Sequence, residues 1–275
     1  MKGMNARSCL AVMFLSVIVG ACAEGGDDGA QTSGAVVSAE PTSDGIIELL
    51  ESGQVVFGIF SGEHTPEGGR LMAQNEDTDF VFYSLESGPF DLDAMEGYMQ
   101  ALEEASTSAP PPIALRIPPI RDDREAAIER SRRGLAAGAT AIVYPHVESV
   151  EDVALISEAV GDRLWPTHAD GDVLSVLLLE DQIAVERARE IASAPGAGVV
   201  IPGPGDLRRA YEGDMEAVES AIQTVLAACL EFDVPCGITA GVDDIGARIE
   251  QGFRFFIVTE PEAIAVGRAA AGRES

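Results

Sequence analysis

The sequence predicts an α/β chain folded as a (β/α)8 barrel. Apolar runs of strand length recur eight times between residues 55 and 258, with segments of helical spacing between them. The runs are short, continuous and apolar, as in a parallel sheet covered on both faces. Eight such units over about 230 residues match the size of a (β/α)8 barrel. A doubly wound open sheet is the alternative. No GxGxxG follows the first run and no Walker loop is present, which removes the usual nucleotide-binding support for an open sheet.

The chain begins with a segment read as targeting rather than fold. Residues 1–22 (MKGMNARSCLAVMFLSVIVGAC) place Lys2 and Arg7 before an apolar stretch from Cys9 to Val19. That length suits a signal peptide and is short for a membrane span. Val19-Gly20-Ala21-Cys22 resembles a lipobox, so Cys22 is expected to become the lipidated N-terminus, anchored to a bacterial cell envelope. An ordinary signal peptide or an uncleaved anchor are the alternatives. Residues 23–43 are rich in Gly, Ala, Ser and acids without periodicity, which predicts a flexible tether. Residues 44–275 then form the barrel domain.

Within that domain the first strand is Val55–Phe60, followed by the loop SGEHTPEGG with His64. Phe80–Leu85 ends in Glu86-Ser87-Gly88-Pro89 and leads into a helix over Asp91–Ser106. Pro110-Pro111-Pro112 is a rigid lead-in to Ile113–Ile117, which carries Arg116, and a helix over Asp123–Ala137 follows. Arg130, Arg132 and Arg133 on it are expected to form a solvated face pairing with the acidic surface. Ala141–Tyr144 ends at Pro145-His146 before the helix Ser149–Val160. His168, beside Trp165 and Pro166, is expected in loop packing. Leu174–Leu179 ends at Glu180-Asp181 and precedes the helix Gln182–Ser193. Gly198–Ile201 ends in Pro202-Gly203-Pro204-Gly205-Asp206, ahead of the helix Asp214–Phe232. Cys236–Thr239 and Phe253–Val258, with helices Val242–Gln251 and Pro261–Gly272, complete the order. Cys229 and Cys236 are expected as two buried thiols, a disulfide being the alternative.

Charge and composition exclude several functions. The 46 acidic residues against 18 basic ones give a net charge of −28, which repels nucleic-acid phosphate. The only lysine is Lys2, inside the targeting segment. A mature chain without it has no lysine for a Schiff base or a pyridoxal-phosphate anchor.

In a barrel the chemistry sits at the C-terminal strand ends. The chemically loaded members there are Arg116, Glu180 and Asp206. Two carboxylates from adjacent strands can hold Mg2+ or Mn2+ and leave positions for substrate oxygens. An arginine facing them can stabilise an oxyanion. The bare backbone around Gly205 and Asp206 can receive a substrate carboxylate. Each also has an ordinary structural role open to it: Asp206 as a helix cap, Arg116 as an ion-pair partner. His146 lies on the same face with a side chain suited to acid–base work, or it packs as a neutral histidine. His64 is expected as a surface loop residue.

The ordered blocks resemble the HpcH/HpaI aldolase / citrate lyase family. FVFYSLESGPFDLDAMEGYMQAL resembles the segment usually read D-x-E-H-G/A-P, and ALRIPP resembles its arginine strand. GLAAGATAIVYPHVESVEDV, LLLED, VVIPGPGDLRRAYEG and GITAGVDDIGARIEQGFRFFIVTEP resemble four further blocks in order. The resemblance covers roughly residues 44–270. It implies a metal-dependent barrel enzyme that makes or breaks C–C bonds next to a 2-oxo acid, or acts on acyl-CoA esters. Matched residue by residue, it places metal binding on Glu180 and Asp206, substrate binding on Arg116, and the substrate carboxylate on Gly205 and Asp206. It also implies a homo-oligomer, although the helix after Pro261 is short.

The departures are specific. The family's histidine base falls on Ser87 and its orienting aspartate on Ala136, and the family's loop between the fourth and fifth strands has no clear equivalent in Ser157–Asp172. Proton transfer is therefore expected from His146, from Glu86, or from no protein base. The expected function is a metal-dependent carbon–carbon lyase that stabilises an enolate. The alternative is a non-catalytic, lipid-anchored binding protein that keeps the metal and 2-oxo acid site.

Overall fold

The structure is a computed structural model that describes residues 44–273. The expected signal segment, the expected tether and Cys22 lie outside the described residues. No described helix is long and apolar enough to cross a membrane.

Among the described residues there are nine parallel strands: β1 (Val56–Phe60), β2 (Phe80–Ser84), β3 (Ile113–Arg116), β4 (Ala141–Tyr144), β5 (Leu164–Trp165), β6 (Val173–Leu179), β7 (Val199–Pro202), β8 (Gly237–Thr239) and β9 (Phe255–Val258). They pair in the order β5-β6-β4-β3-β2-β1-β9-β8, and β7 pairs β6. The curled sheet thus runs from β7 round to β8 as eight strands, with β5 as a short addition. No ladder joins β7 to β8. A single parallel bridge, Val200 to Cys236, spans that junction, supported by the Val200 N–H donating to the Pro235 carbonyl at 3.1 Å. The expectation of a fully closed barrel is corrected to a barrel-like parallel sheet with one unzipped seam.

Side chains alternate across the sheet, as a strand's two-residue period requires. Val56, Phe80, Phe82, Val143, Val176 and Phe255 fill the interior. Phe57, Tyr83, Leu115, Leu177 and Phe256 face the helices. The interior is tightly filled near Gly58, where a Cβ would lie 2.1 Å from the Phe80 ring. Phe80 in turn stacks on Phe255 with centroids 4.6 Å apart.

The helices start where the sequence places polar caps. Asp91, Asp123, Ser149, Asp181 and Asp214 each accept from a main-chain N–H of the following first turn, satisfying otherwise orphaned donors. These caps open α3 (Leu92–Ala105), α4 (Arg124–Ala136), α5 (Val150–Val160), α6 (Gln182–Glu186) and α9 (Met215–Phe232). The helix expected over Gln182–Ser193 is broken at Arg187 into α6 and α7 (Ala188–Ala192). α10 is Ile245–Gln251 and α11 is Pro261–Ala270.

Several elements were not expected, α1 (Asp44–Glu51), α2 (Pro66–Met72) and β5 among them. α1 puts Ile46, Ile47 and Leu50 into the interior cluster and so covers one end of it. α2 occupies part of the loop read from SGEHTPEGG, capped by Thr65. Trp165 belongs to strand β5, and its indole N–H donates to Glu51 at 2.9 Å. Cys229 and Cys236 are free and buried, as expected. Arg133 lies over the Phe90 ring.

Candidate functional site

The C-terminal strand ends bring four of the predicted residues, Arg116, Glu180, Gly205 and Asp206, to one cavity of about 270 Å3 that Phe60 and Phe82 also line. Arg116 ends β3. Its Nε donates to Ser84 Oγ at 2.9 Å and its Nη2 approaches Glu86 Oε2 at 3.1 Å. Its guanidinium also lies 5.1 Å from the centre of the Phe82 ring. The cation is fixed on three sides and still borders the cavity.

Glu180 follows β6 and is 3% exposed. Its Oε2 accepts the His146 N–H at 3.1 Å. Burial, reinforced by the negative charge of Asp206, pushes its carboxyl up to about 8. Gly203 makes this placement fit, because a Cβ there would lie 2.7 Å from Glu180 Cγ. Glu86 is raised by the same desolvation, opposed by Arg116 and assisted by Asp206.

His146 sits two residues beyond β4 with φ +54°, the left-handed region that few non-glycine residues adopt. Its Nδ1 is buried without a hydrogen-bond partner. That atom lies 3.6 Å from Glu180 Oε2 and 3.8 Å from Asp181 Oδ2. Burial lowers its pKa, with Arg121 acting in the same direction. Among the described residues, donor atoms of Glu86, His146 and Glu180 lie within 4.8 Å of one another.

Asp206 borders the cavity but its carboxylate is turned to Arg209. It stands in the first turn of α8 (Pro204–Ala210), whose N-cap is Gly203, so it is not the cap. Gly205 lies in the same turn, where main-chain N–H groups have no partner within the helix. The expected Glu180–Asp206 pair thus shares the cavity, while the tight donor group exchanges Asp206 for Glu86 and His146. No spacing rule signals that exchange. It arises from side-chain direction.

Ser87 and Ala136 are both exposed. Neither supplies an acid–base group in place of the family's histidine and aspartate. His64, expected as a surface loop residue, is half-buried. Its ring stacks on Tyr83 with centroids 4.0 Å apart, and its Nε2 is 3.1 Å from Ser61 Oγ. Tyr83 faces the helices, so this ring lies outside the interior on which the cavity opens.

No protein-family model matches the chain. A curated relative, 2-dehydro-3,6-dideoxy-6-sulfogluconate aldolase of Pseudomonas putida, is 26% identical over 163 residues, which is 50% of this chain and 64% of that protein. A solved HpcH/HpaI aldolase/citrate lyase family protein from Burkholderia cenocepacia aligns with TM-score 0.66 at 21% identity, covering 82% of this chain and 95% of its own. The citrate lyase beta subunit of M. tuberculosis, solved with oxaloacetate and magnesium, aligns with TM-score 0.56 at 18% identity, covering 79% and 97%. The structural neighbours of the chain are thus HpcH/HpaI aldolase/citrate lyase family proteins, and the likeness to them is one of fold.

Proposed function

We propose that the chain is a divergent carbon–carbon lyase of this aldolase-like group, acting on a 2-oxo acid or related carboxylate. One observation carries the proposal: the cation Arg116 and the carboxylates Glu180 and Asp206 surround one cavity, while the positions of the acid–base dyad hold exposed Ser87 and Ala136. A reaction that needs charge stabilisation more than a protein base fits that combination. Cleavage of a 3-carboxy-2-oxo acid such as oxaloacetate is of this kind. The C3–C4 bond breaks, carbon dioxide leaves, and the electron pair passes to the C2 carbonyl as an enolate that water reprotonates.

The residues fit a divalent cation. Among the described residues Glu180 is a buried carboxylate that makes no ion pair with an arginine, two further donors stand close to it, and the His146 Nδ1 is orphaned. Carboxylate oxygens suit Mg2+ or Mn2+, held by Glu180 with Asp206, or by Glu180 with Glu86 and the His146 nitrogen. When bound, such a cation supplies Lewis acidity toward a keto oxygen. The chain's own residues do the rest. Arg116, held by Ser84 and Glu86, balances negative charge on the enolate oxygen. The N–H groups of Gly205 and Asp206 receive the substrate carboxylate. Phe60 and Phe82 exclude water from the apolar side.

The family dyad's absence also favours a second assignment, a binding protein without turnover. Calorimetry on the full chain with oxaloacetate, with and without Mn2+, tests the site itself. Cation-dependent binding that is lost in Glu180→Ala is expected. Binding unaffected by that change contradicts the assignment of the site.

A further inference from the structure

We propose that His146 is a nitrogen ligand for the cation, completing a Glu86–His146–Glu180 donor set that favours a transition metal such as Mn2+, Fe2+ or Co2+ over Mg2+. The inference rests on the lyase site described above and changes the role of one of its residues.

Three observations converge on it. The His146 Nδ1 is buried and has no hydrogen-bond partner, an arrangement that costs free energy unless something occupies the acceptor. It lies 3.6 Å from Glu180 Oε2, and one ligand atom each from Glu86, His146 and Glu180 lie within 4.8 Å of one another. The backbone at His146 is held at φ +54°, and its N–H donates to the same carboxylate. The main chain and the ring are thus both committed to Glu180, which leaves the imidazole little freedom to carry protons to a substrate. Asp206, the expected second carboxylate, is meanwhile engaged by Arg209.

Glu86 can serve both its neighbours. Its contact with Arg116 uses Oε2, and a carboxylate has about four lone-pair sites. One nitrogen and two carboxylates form a borderline donor set. Mg2+ takes oxygen donors and sheds water reluctantly, whereas Mn2+, Fe2+ and Co2+ accept imidazole. With His146 bound through Nδ1, the proton of a neutral ring resides on Nε2.

The test uses the full chain stripped of metal with EDTA. Mn2+ is added and examined by pulsed electron paramagnetic resonance for coupling to imidazole nitrogen. Co2+ and Mg2+ affinities are measured by competition. Most sites of mixed donors prefer Co2+ to Mg2+, so the decisive readout is how far that preference depends on His146. His146→Asn accepts the positive φ and removes the imidazole. It is expected to abolish the nitrogen coupling and to weaken Co2+ about 10- to 100-fold while Mg2+ changes less than about threefold. His146→Gly, relaxed at this φ, gives the same result if Asn itself disturbs folding. Glu86→Gln is expected to weaken Co2+ by about tenfold. Unchanged Co2+ affinity in both His146 variants, no nitrogen coupling in the parent, and loss of binding in Asp206→Asn overturn the proposal and leave the lyase reading standing on the Glu180–Asp206 pair. A folded parent that binds no divalent cation overturns both.

Discussion

Gly203→Ala adds one methyl group directly against the carboxylate that the proposed site depends on. Gly203 has φ −79° and ψ 99°, a conformation open to alanine, so the backbone itself tolerates the change. The added Cβ lies 2.7 Å from Glu180 Cγ and 2.9 Å from Oε1, and ordinary contact begins near 3.4 Å. Glu180 must retreat by roughly 0.7 Å to relieve the closer clash. It is 3% exposed, so little space receives it. Misplacement of a reacting or liganding group by about 1 Å costs about 10²-fold, and a retreat of this size therefore predicts a loss of about 10- to 100-fold in Mn2+ affinity. Titration calorimetry with Mn2+ measures the loss. Gly241→Ala is the control, since nothing lies within 4 Å of its Cβ. Overpacking costs stability of about 1–3 kcal/mol, so a thermal melt must show the variant folded at the titration temperature. A folded Gly203→Ala protein that binds Mn2+ as tightly as the parent refutes the placement of Glu180 in the metal site.

Further outcomes follow from the same structure. Gly58→Ala drives a methyl into the Phe80 ring at 2.1 Å and is expected to cost about 1–3 kcal/mol or more; an unchanged urea midpoint contradicts the close packing of the barrel interior. Glu180 in the metal-free protein is pushed up to about 8 from 4.5, so the folded state holds a proton that the unfolded chain releases. Its contribution to stability is fully present below about pH 4.5 and lost as pH rises through about 8, a slope of up to about 1.4 kcal/mol per unit. Urea unfolding in EDTA between pH 6 and 8 measures that slope, and saturating Mn2+, which replaces the proton, is expected to remove it; a slope indifferent to Mn2+ contradicts the assignment. Cys22→Ala is expected to move the protein from the membrane to the soluble fraction of cells expressing the full chain, and retention at the membrane argues against lipidation at that residue.

Much of the fold was legible because eight strands are buried on both faces and therefore read as continuous apolar runs, from Val56–Phe60 to Phe255–Val258. The helix starts were legible through their caps, Asp91 and Ser149 among them. What escaped has physical reasons. α2 carries Gly68 and Gly69 and so reads as a loop. Those glycines are needed because a Cβ would meet the Glu63 carbonyl at 2.0 Å or the Tyr98 carbonyl at 2.3 Å. The two residues of β5 are too few to show a period.

Within the site, residue order brought Arg116, Glu180 and Asp206 to one cavity. It did not reveal that Asp206 turns to Arg209, nor that Glu86 and His146 close on Glu180. Side-chain direction and a positive φ at His146 have no signature in spacing.

Pyruvate formation from oxaloacetate, followed by proton NMR on the full chain with Mn2+, tests the central claim most directly. The account predicts turnover above the rate of free Mn2+, abolished by EDTA and by Glu180→Ala, and reduced about 10²- to 10³-fold by Arg116→Ala, which removes the oxyanion partner. Turnover that survives both substitutions in folded protein, or none in a parent that binds the Mn2+–oxaloacetate pair, contradicts it.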